Sequence, residues 1–582
     1  MANGRRLVAT VGVLISVAWC AAPVRAAAPA DRSPPAQLVS LFDEWRQVAA
    51  PSMREGAPDF GAAALARKAA ELAQMRQRLA ALPRGGWSPH VVADARLIEA
   101  EMNGLDFDLR VRRPWARDPS FYATVFGEES DVPAHEGPAA DTIDLFRYDW
   151  PLSATDARKL KSRLDGVPVL LQRARVSLAD GQGADLWQYG GRALDEQTAV
   201  LDALIAGTLS MRTLDGKRKA TLADAPPALR VSVIAARDAT RAFAGWVKAQ
   251  APGKTGPSGV GKTEYDWYMR HVQLVPYDWD TQVALLEREL HRAWSGLRLE
   301  EQRNRSLPPL AEIADPVGYR RFAETKMAGY TDFLVANGFL ADKPYYRAAL
   351  AAQTLDFVPL AERNFFYHVV ALDPWPLYGH DIHWMELARI RHEPNADPIR
   401  RVAPLYNIFQ SRSEGFATAF EEIVMQAGLY DNVPRARELV WIMLANRAAR
   451  GLASLRVQAN QWNLAEAGRF HARWTPRGYS DPANALVGFE QLLYLRQPGY
   501  GTSYITGKIE LDGLIARTAQ ADEHQPYGAV IRQVMETLSG EGTVPFALYP
   551  GQADGAPAGA NARAQCGVAM NVAATASVNK AT

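Results

Sequence analysis

Apolar residues recur every three to four positions along nearly the whole chain, the spacing of a helix that buries one face. "LVSLFDEWRQVA", "ALARKAAELAQMRQRLAAL" and "HVVADARLIEAEMNGLDFDLRV" show it near the start. "DWDTQVALLERELHRAWSGLRLEEQRNR", "RARELVWIMLANRAARGLASLRVQANQW" and "NALVGFEQLLYLR" show it later. Alternating, strand-like runs are few and short, and "ALRVSVIAA" fits either period. The pattern predicts a mainly α, large multi-helix fold with few short strands. At 582 residues and 48% hydrophobic content, the chain can bury a large core.

The first thirty residues read as a secretory signal. Arg5 and Arg6 precede an apolar run from Leu7 to about Ala22, and Val24-Arg25-Ala26 offers a cleavage site. Bulky Trp19 disfavours a lipid anchor on Cys20. The expected mature protein starts near Ala27 and is periplasmic or secreted, with no stable membrane insertion after signal removal. Of two cysteines, Cys20 leaves with the signal and Cys566 stands alone, so no intrachain disulfide forms. A net charge of +1 gives no basic surface for nucleic acid. The expected organisation is a signal at 1–26, helical regions at 27–255 and 256–549, and a disordered Gly/Ala/Asn-rich tail at 550–582.

Residues 256–263, GPSGVGKT, match the nucleotide-binding P-loop letter for letter. That motif works only between a buried strand and a helix, where its amides cradle phosphates. Here "RDATRAFAGWVKAQAPGKT", a helix and a Pro/Gly loop, comes first. The stretch therefore reads as a loop entering "TEYDWYMRHV", and no nucleotide is expected. The basic run "DGKRKATL" at 215–222 reads as a surface loop.

The densest polar constellation lies at 373–422. His380, Asp381, His383 and His392 fall there in a chain with ten histidines. On one helix from about His380 to Arg391, His380 and His383 would lie about 60° apart and share a face. Two imidazoles so placed can share a metal ion, although His-Asp-Ile-His is shorter than the His-Glu-x-x-His zinc signature. A second helix, with Ser413 as its cap, puts Glu414 and Glu421 two turns apart on one side. The alternative assigns Glu414 to stabilising that helix end and Glu421 to solvent.

At these residues the chain resembles the bacterial domain-of-unknown-function family 885, related in outline to helical, zincin-like peptidases. "YGHDIHW" sits where that family has Pro-Gly-His-His-Leu-Gln, and "SEGFATAFEEIVMQAGL" is similar to its Glu-Gly-Trp-Ala-x-Tyr-x-Glu helix. "QPGYGTSYITGKIEL" resembles its Pro-Gly-Gln-Ala-x-x-Tyr-x-x-Gly-Lys element, placing Pro498, Gly499, Tyr504 and Gly507. In "RAARGLASLRVQANQW", Arg447, Arg450 and Trp462 fall on family positions. The chain departs where Pro374-Trp375 replaces a His-Glu pair and Gln458 a histidine. The resemblance spans residues 35–548 and implies a peptidase scaffold with a rebuilt site.

The reading that follows is an exported hydrolase of peptide or other amide bonds, acting on a small-molecule or peptide substrate. In its metal form His380, His383 and Glu414 hold zinc, Asp381 or Glu421 takes a proton, and Tyr504 stabilises the oxyanion. A metal-free form uses His380 or His383 as the base. The alternative is a catalytically inactive binding protein whose pocket is lined by some of the chain's fifteen Trp and twenty Tyr. Arg400 and Arg401 are further candidates, for holding a substrate carboxylate.

Overall fold

The computed structural model describes residues 33–130 and 141–549. The expected signal at 1–26, both cysteines and the tail at 550–582 lie outside the described residues. The fold is mainly α. Three two-stranded sheets are its only sheets among the described residues.

Some helices start at side-chain caps. Ser88 accepts the Val91 amide and Pro89 opens the helix Pro89–Phe107. Asp278 accepts the Thr281 amide at the start of Trp279–Arg303. "ALRVSVIAA" lies inside the helix Pro227–Gln250. The basic run is a correction: Gly216–Ala220 forms the second strand of a hairpin with Leu209–Thr213. Asp215 sits in the turn between strands, so the run is edge strand rather than open loop.

The buried apolar residues form two main clusters. One, between residues 57 and 247, is built by helices Ala154–Ser177, Gly191–Ala206 and Pro227–Gln250. The larger joins residues 38–107 to residues 265–549. A division at 255 therefore does not follow the cores, because the first three helices complete the C-terminal one. At its centre the helix Ala436–Gln458 is apolar or buried on almost every side, as a fully enclosed helix must be. It packs against Trp279–Arg303, Leu464–Trp474 and Tyr500–Ala521.

The P-loop look-alike closes a seam of this structure. The Gly256 amide donates to Gln182 O, the Gly259 amide to Asn460 Oδ1, and the Gly261 amide to Gln458 O. Lys262 lies 3.5 Å above the Trp279 ring and 3.2 Å from Asp280. The donors a phosphate would need are engaged within the chain. Gln458 serves the same seam, its Nε2 donating to Tyr494 O and Leu495 O.

Candidate functional site

The site forms where two helices cross at backbone contact. A Cβ built on Gly415 would sit 2.3 Å from the Gly507 backbone, and one on Gly507 only 1.8 Å from Ser411 O. Only glycine at both positions lets Gln410–Gln426 and Tyr500–Ala521 come this close. The crossing sets Tyr500 against Glu414, and the Tyr500 hydroxyl donates to Glu414 Oε1 at 2.6 Å. Gly499, at φ +88°, gives the left-handed turn that opens the tyrosine helix.

The histidine segment differs from the single helix expected. A short helix, Trp375–His380, ends at His380, and a second, Ile382–His392, begins one residue later. Asp381 is the joint: its amide donates to Leu377 O and its carbonyl accepts from the Trp384 amide. Despite the break, the His380 and His383 rings lie 4.9 Å apart. Arg412 of the acidic helix holds the second histidine helix in place, donating to Glu386 Oε1 at 2.5 Å.

Helix Gln410–Gln426 begins three residues before Ser413, which is buried and caps nothing. Glu414 and Glu421 are both 1% exposed, so neither an end-stabilising nor a solvated role describes them. His380 lies between them, with Nδ1 3.0 Å from Glu421 Oε1 and Nε2 3.3 Å from Glu414 Oε2. Arg447 clasps Glu421 from behind, with Nη2 2.7 Å from Oε1 and Nη1 3.0 Å from Oε2. Burial, reinforced by the Arg447 charge, pushes the His380 pKa down to about 3, so the ring is neutral near pH 7. Neither contact has hydrogen-bond geometry: His380 Nδ1, Glu421 Oε1 and Glu414 Oε2 are all buried atoms with no hydrogen-bond partner among the described residues. With the ring proton on Nδ1, facing Glu421, the Nε2 lone pair faces Glu414 Oε2.

In that tautomer two acceptors face each other at 3.3 Å, a contact that a shared proton or a bound cation would satisfy. The spacing also matches the ligand–ligand edge of a tetrahedral zinc site with arms of about 2 Å. His383 is the third member: one donor atom each from His380, His383 and Glu414 lie within 4.8 Å of one another. His383 Nδ1 accepts the Trp384 amide at 3.1 Å, but that amide also donates to Asp381 O. The donor set fits a divalent cation.

Beside it opens a cavity of about 390 Å³, lined on the polar side by His380, Asp381, His383, Tyr500, Tyr504 and Arg450. Tyr504 stacks near His380 at 6.0 Å, and the Arg450 guanidinium lies 4.2 Å over the Tyr504 ring. Arg450 is itself paired with buried Glu490. All six expected site residues, His380, Asp381, His383, Glu414, Glu421 and Tyr504, meet here. Glu421 is not in the cavity wall. Arg400, expected to hold a substrate, does not reach it: fully buried elsewhere, it pairs with Asp94 at 2.6 Å and with Glu541. Glu490 carries a part of the site that sequence reasoning did not assign, and Tyr500, expected only as one of the aromatics lining a ligand pocket, also donates to Glu414. Tyr500 had a signal, lying one turn before Tyr504 on the same helix; Glu490 had none.

No family model matches the sequence. No curated protein matches it either. Solved structures do share the fold. A chain from Shewanella oneidensis, provisionally described as a lipoprotein of unknown function, superposes with a TM-score of 0.63 at 11% identity, covering 88% of this chain and 98% of that one. One from Colwellia psychrerythraea, provisionally described as a lipoprotein, gives a TM-score of 0.60 at 12% identity, covering 88% and 97%. At such identities the likeness is one of architecture. No helix of the described residues is long and apolar enough to cross a membrane.

Proposed function

We propose that this protein is an exported, metal-dependent hydrolase of peptide or other amide bonds. The observation that carries the reading is the grouping of His380, His383 and Glu414 donor atoms within 4.8 Å of one another, with both imidazoles, though not Glu414, lining a substrate-sized cavity. His380, His383 and Glu414 are the ligands, and zinc held there would supply Lewis-acid activation of a water. Glu421 moves from candidate base to positioning residue: held by Arg447, it keeps the His380 proton on Nδ1. Asp381, in the cavity wall, accepts the proton that the water gives up as its oxygen bonds to the carbonyl carbon. Tyr504 donates to the oxyanion, and the proton passes to the leaving nitrogen as the carbon–nitrogen bond breaks. The products are a carboxylate and an amine. A His380 pKa near 3 makes that ring a poor general base and favours the metal form over the metal-free one. The amino-terminal signal supports export, and the resemblance to zinc-peptidase-like chains supports the scaffold rather than that family's standard mechanism.

The test is metal analysis of the full chain alongside turnover of amide reporters. About one zinc per chain after dialysis is expected, with turnover abolished by chelation and both lost in His380→Ala. Metal-free protein prepared without chelators, with turnover unchanged in His383→Ala, would overturn the reading. The apolar part of the cavity supports a second reading, a binding protein on this scaffold; ligand binding with no turnover on any amide would select it.

A further inference from the structure

The same cavity also has an apolar part. Phe366, Leu377, Trp384, Leu486, Phe489 and Leu493 belong to its lining. Most of these side chains belong to packed clusters, but Phe489 does not, and it is 38% exposed. The apolar lining thus includes one large ring that the fold leaves partly open. A ligand side chain of matching character would gain by covering it.

A cation sits on that ring. The Arg192 guanidinium lies 4.9 Å above Phe489 and also lines the cavity. Its Nε donates to Glu196 at 2.9 Å and its Nη1 to Ala485 O, which leaves the Nη2 edge without an acceptor among the described residues. The side chain is about one-third exposed, so this edge reaches solvent. Arg192 comes from the helix Gly191–Ala206 and Phe489 from Ala485–Arg496, so both halves of the chain contribute to the mouth. At about 390 Å³ the cavity takes a molecule of dipeptide size and excludes a folded polypeptide.

From this we infer that the site takes a short amide, a dipeptide or N-acyl amino acid, that ends in a free carboxylate next to an aromatic or bulky apolar side chain. The apolar group rests on Phe489, Phe366 and Trp384, the carboxylate meets Arg192, and the amide points towards His380. The inference rests on the proposed hydrolase reading for the word amide, while the recognition chemistry rests on the cavity alone.

Calorimetry on the full chain separates the two. The probe is the ketomethylene analogue of alanyl-phenylalanine, with CH2 replacing the scissile NH, compared with its C-terminal amide and with the analogue carrying methyl for benzyl. The parent should bind about ten-fold or more tightly than either. Arg192→Gln should abolish the preference for the free carboxylate and leave that for benzyl. Phe489→Ala should do the reverse. On a hydrolysable dipeptide, Arg192→Gln should raise KM and leave kcat unchanged. Equal affinities for the three probes, or no binding at millimolar concentration, would overturn the inference. Selective binding of the parent with no hydrolysis of alanyl-phenylalanine would keep the recognition and sink the hydrolase.

Discussion

Arg447 and Glu421 form a pair with almost no access to water, each 1% exposed, and this pair aims the ring that faces Glu414. Glu421→Gln keeps the shape but removes the charge that holds the His380 proton on Nδ1. The variant should lose about 3–5 kcal/mol of stability, because buried Arg447 is left without its opposing charge. Its folded fraction should bind zinc about 10–100-fold more weakly, whereas Glu414→Gln should lose the metal altogether. Competition with a chromophoric chelator reads both; equal affinity in Glu421→Gln and wild type would remove Glu421 from the site. A second residue-scale consequence concerns Glu510, whose carboxyl is pushed up to about 8 by burial. The unfolded chain ionises near 4.5, so the folded state holds an extra proton between the two values. The stability this group contributes is complete below about 4.5 and is lost as pH rises through about 8. Glu510→Gln should therefore unfold with the wild type at pH about 4 and be more stable at pH about 9, by a few kcal/mol. Denaturant titrations at both pH values check it, and a constant difference would refute it. Residue identities at the site were legible from sequence because histidine is scarce and carboxylates inside an apolar period are unusual. What they contact was not: Glu490 pairs with Arg450 across forty residues, and no local pattern encodes that partner.

At the scale of elements, the period of apolar residues located the helices well, since burial of one face is a local property of the chain. It failed where the chain bends for tertiary reasons. One helix from His380 onward was the simplest reading of "HDIHWMELARIR", yet the chain breaks at Asp381, whose ψ of 1° ends one helix before the next begins. The hairpin at 209–220 was equally hidden, because the charged strand Gly216–Ala220 exposes most of its length and shows no apolar alternation. Ser413 looked like a cap by type, but Gln410, Ser411 and Arg412 are already helical and buried. The Gly415–Gly507 crossing is the element-scale feature on which the site depends. Gly507→Ala forces a methyl onto Ser411 O, a backbone atom that cannot rotate aside. Overpacking of this kind costs about 1–3 kcal/mol, and spreading the two helices would part Tyr500 from Glu414. The variant should melt at lower temperature and bind zinc more weakly. An unchanged Tm with full metal content would show that the crossing is looser than the distances imply.

At the scale of the whole molecule, a chain break near residue 255 looks natural in the sequence, where Pro and Gly cluster, but the packing runs across it. Leu38, Trp45, Ile98 and Phe107 belong to the same core as Tyr268, Phe420 and Leu455. Polar ties follow the same route: Asp94 pairs with Arg400, Arg46 donates to Ala403 O, and Asn103 donates to His271 O. Each large apolar side chain withdrawn from this core costs about 1.5–3 kcal/mol, so losing four of them matches the whole stability of a typical domain, about 5–15 kcal/mol. Removing Asp94 also leaves buried Arg400 with less opposing charge, a loss of about 3–5 kcal/mol when a buried pair is broken. A fragment of residues 256–549 should therefore fail to fold alone, although it contains every proposed metal ligand. Circular dichroism and zinc binding test this directly. A cooperative melt and a full complement of zinc in the isolated fragment would mean that the first three helices merely cover a core able to stand by itself. Their absence, with recovery in a chain that keeps residues 33–255, would mean that the site's rigidity comes from segments remote from it in sequence.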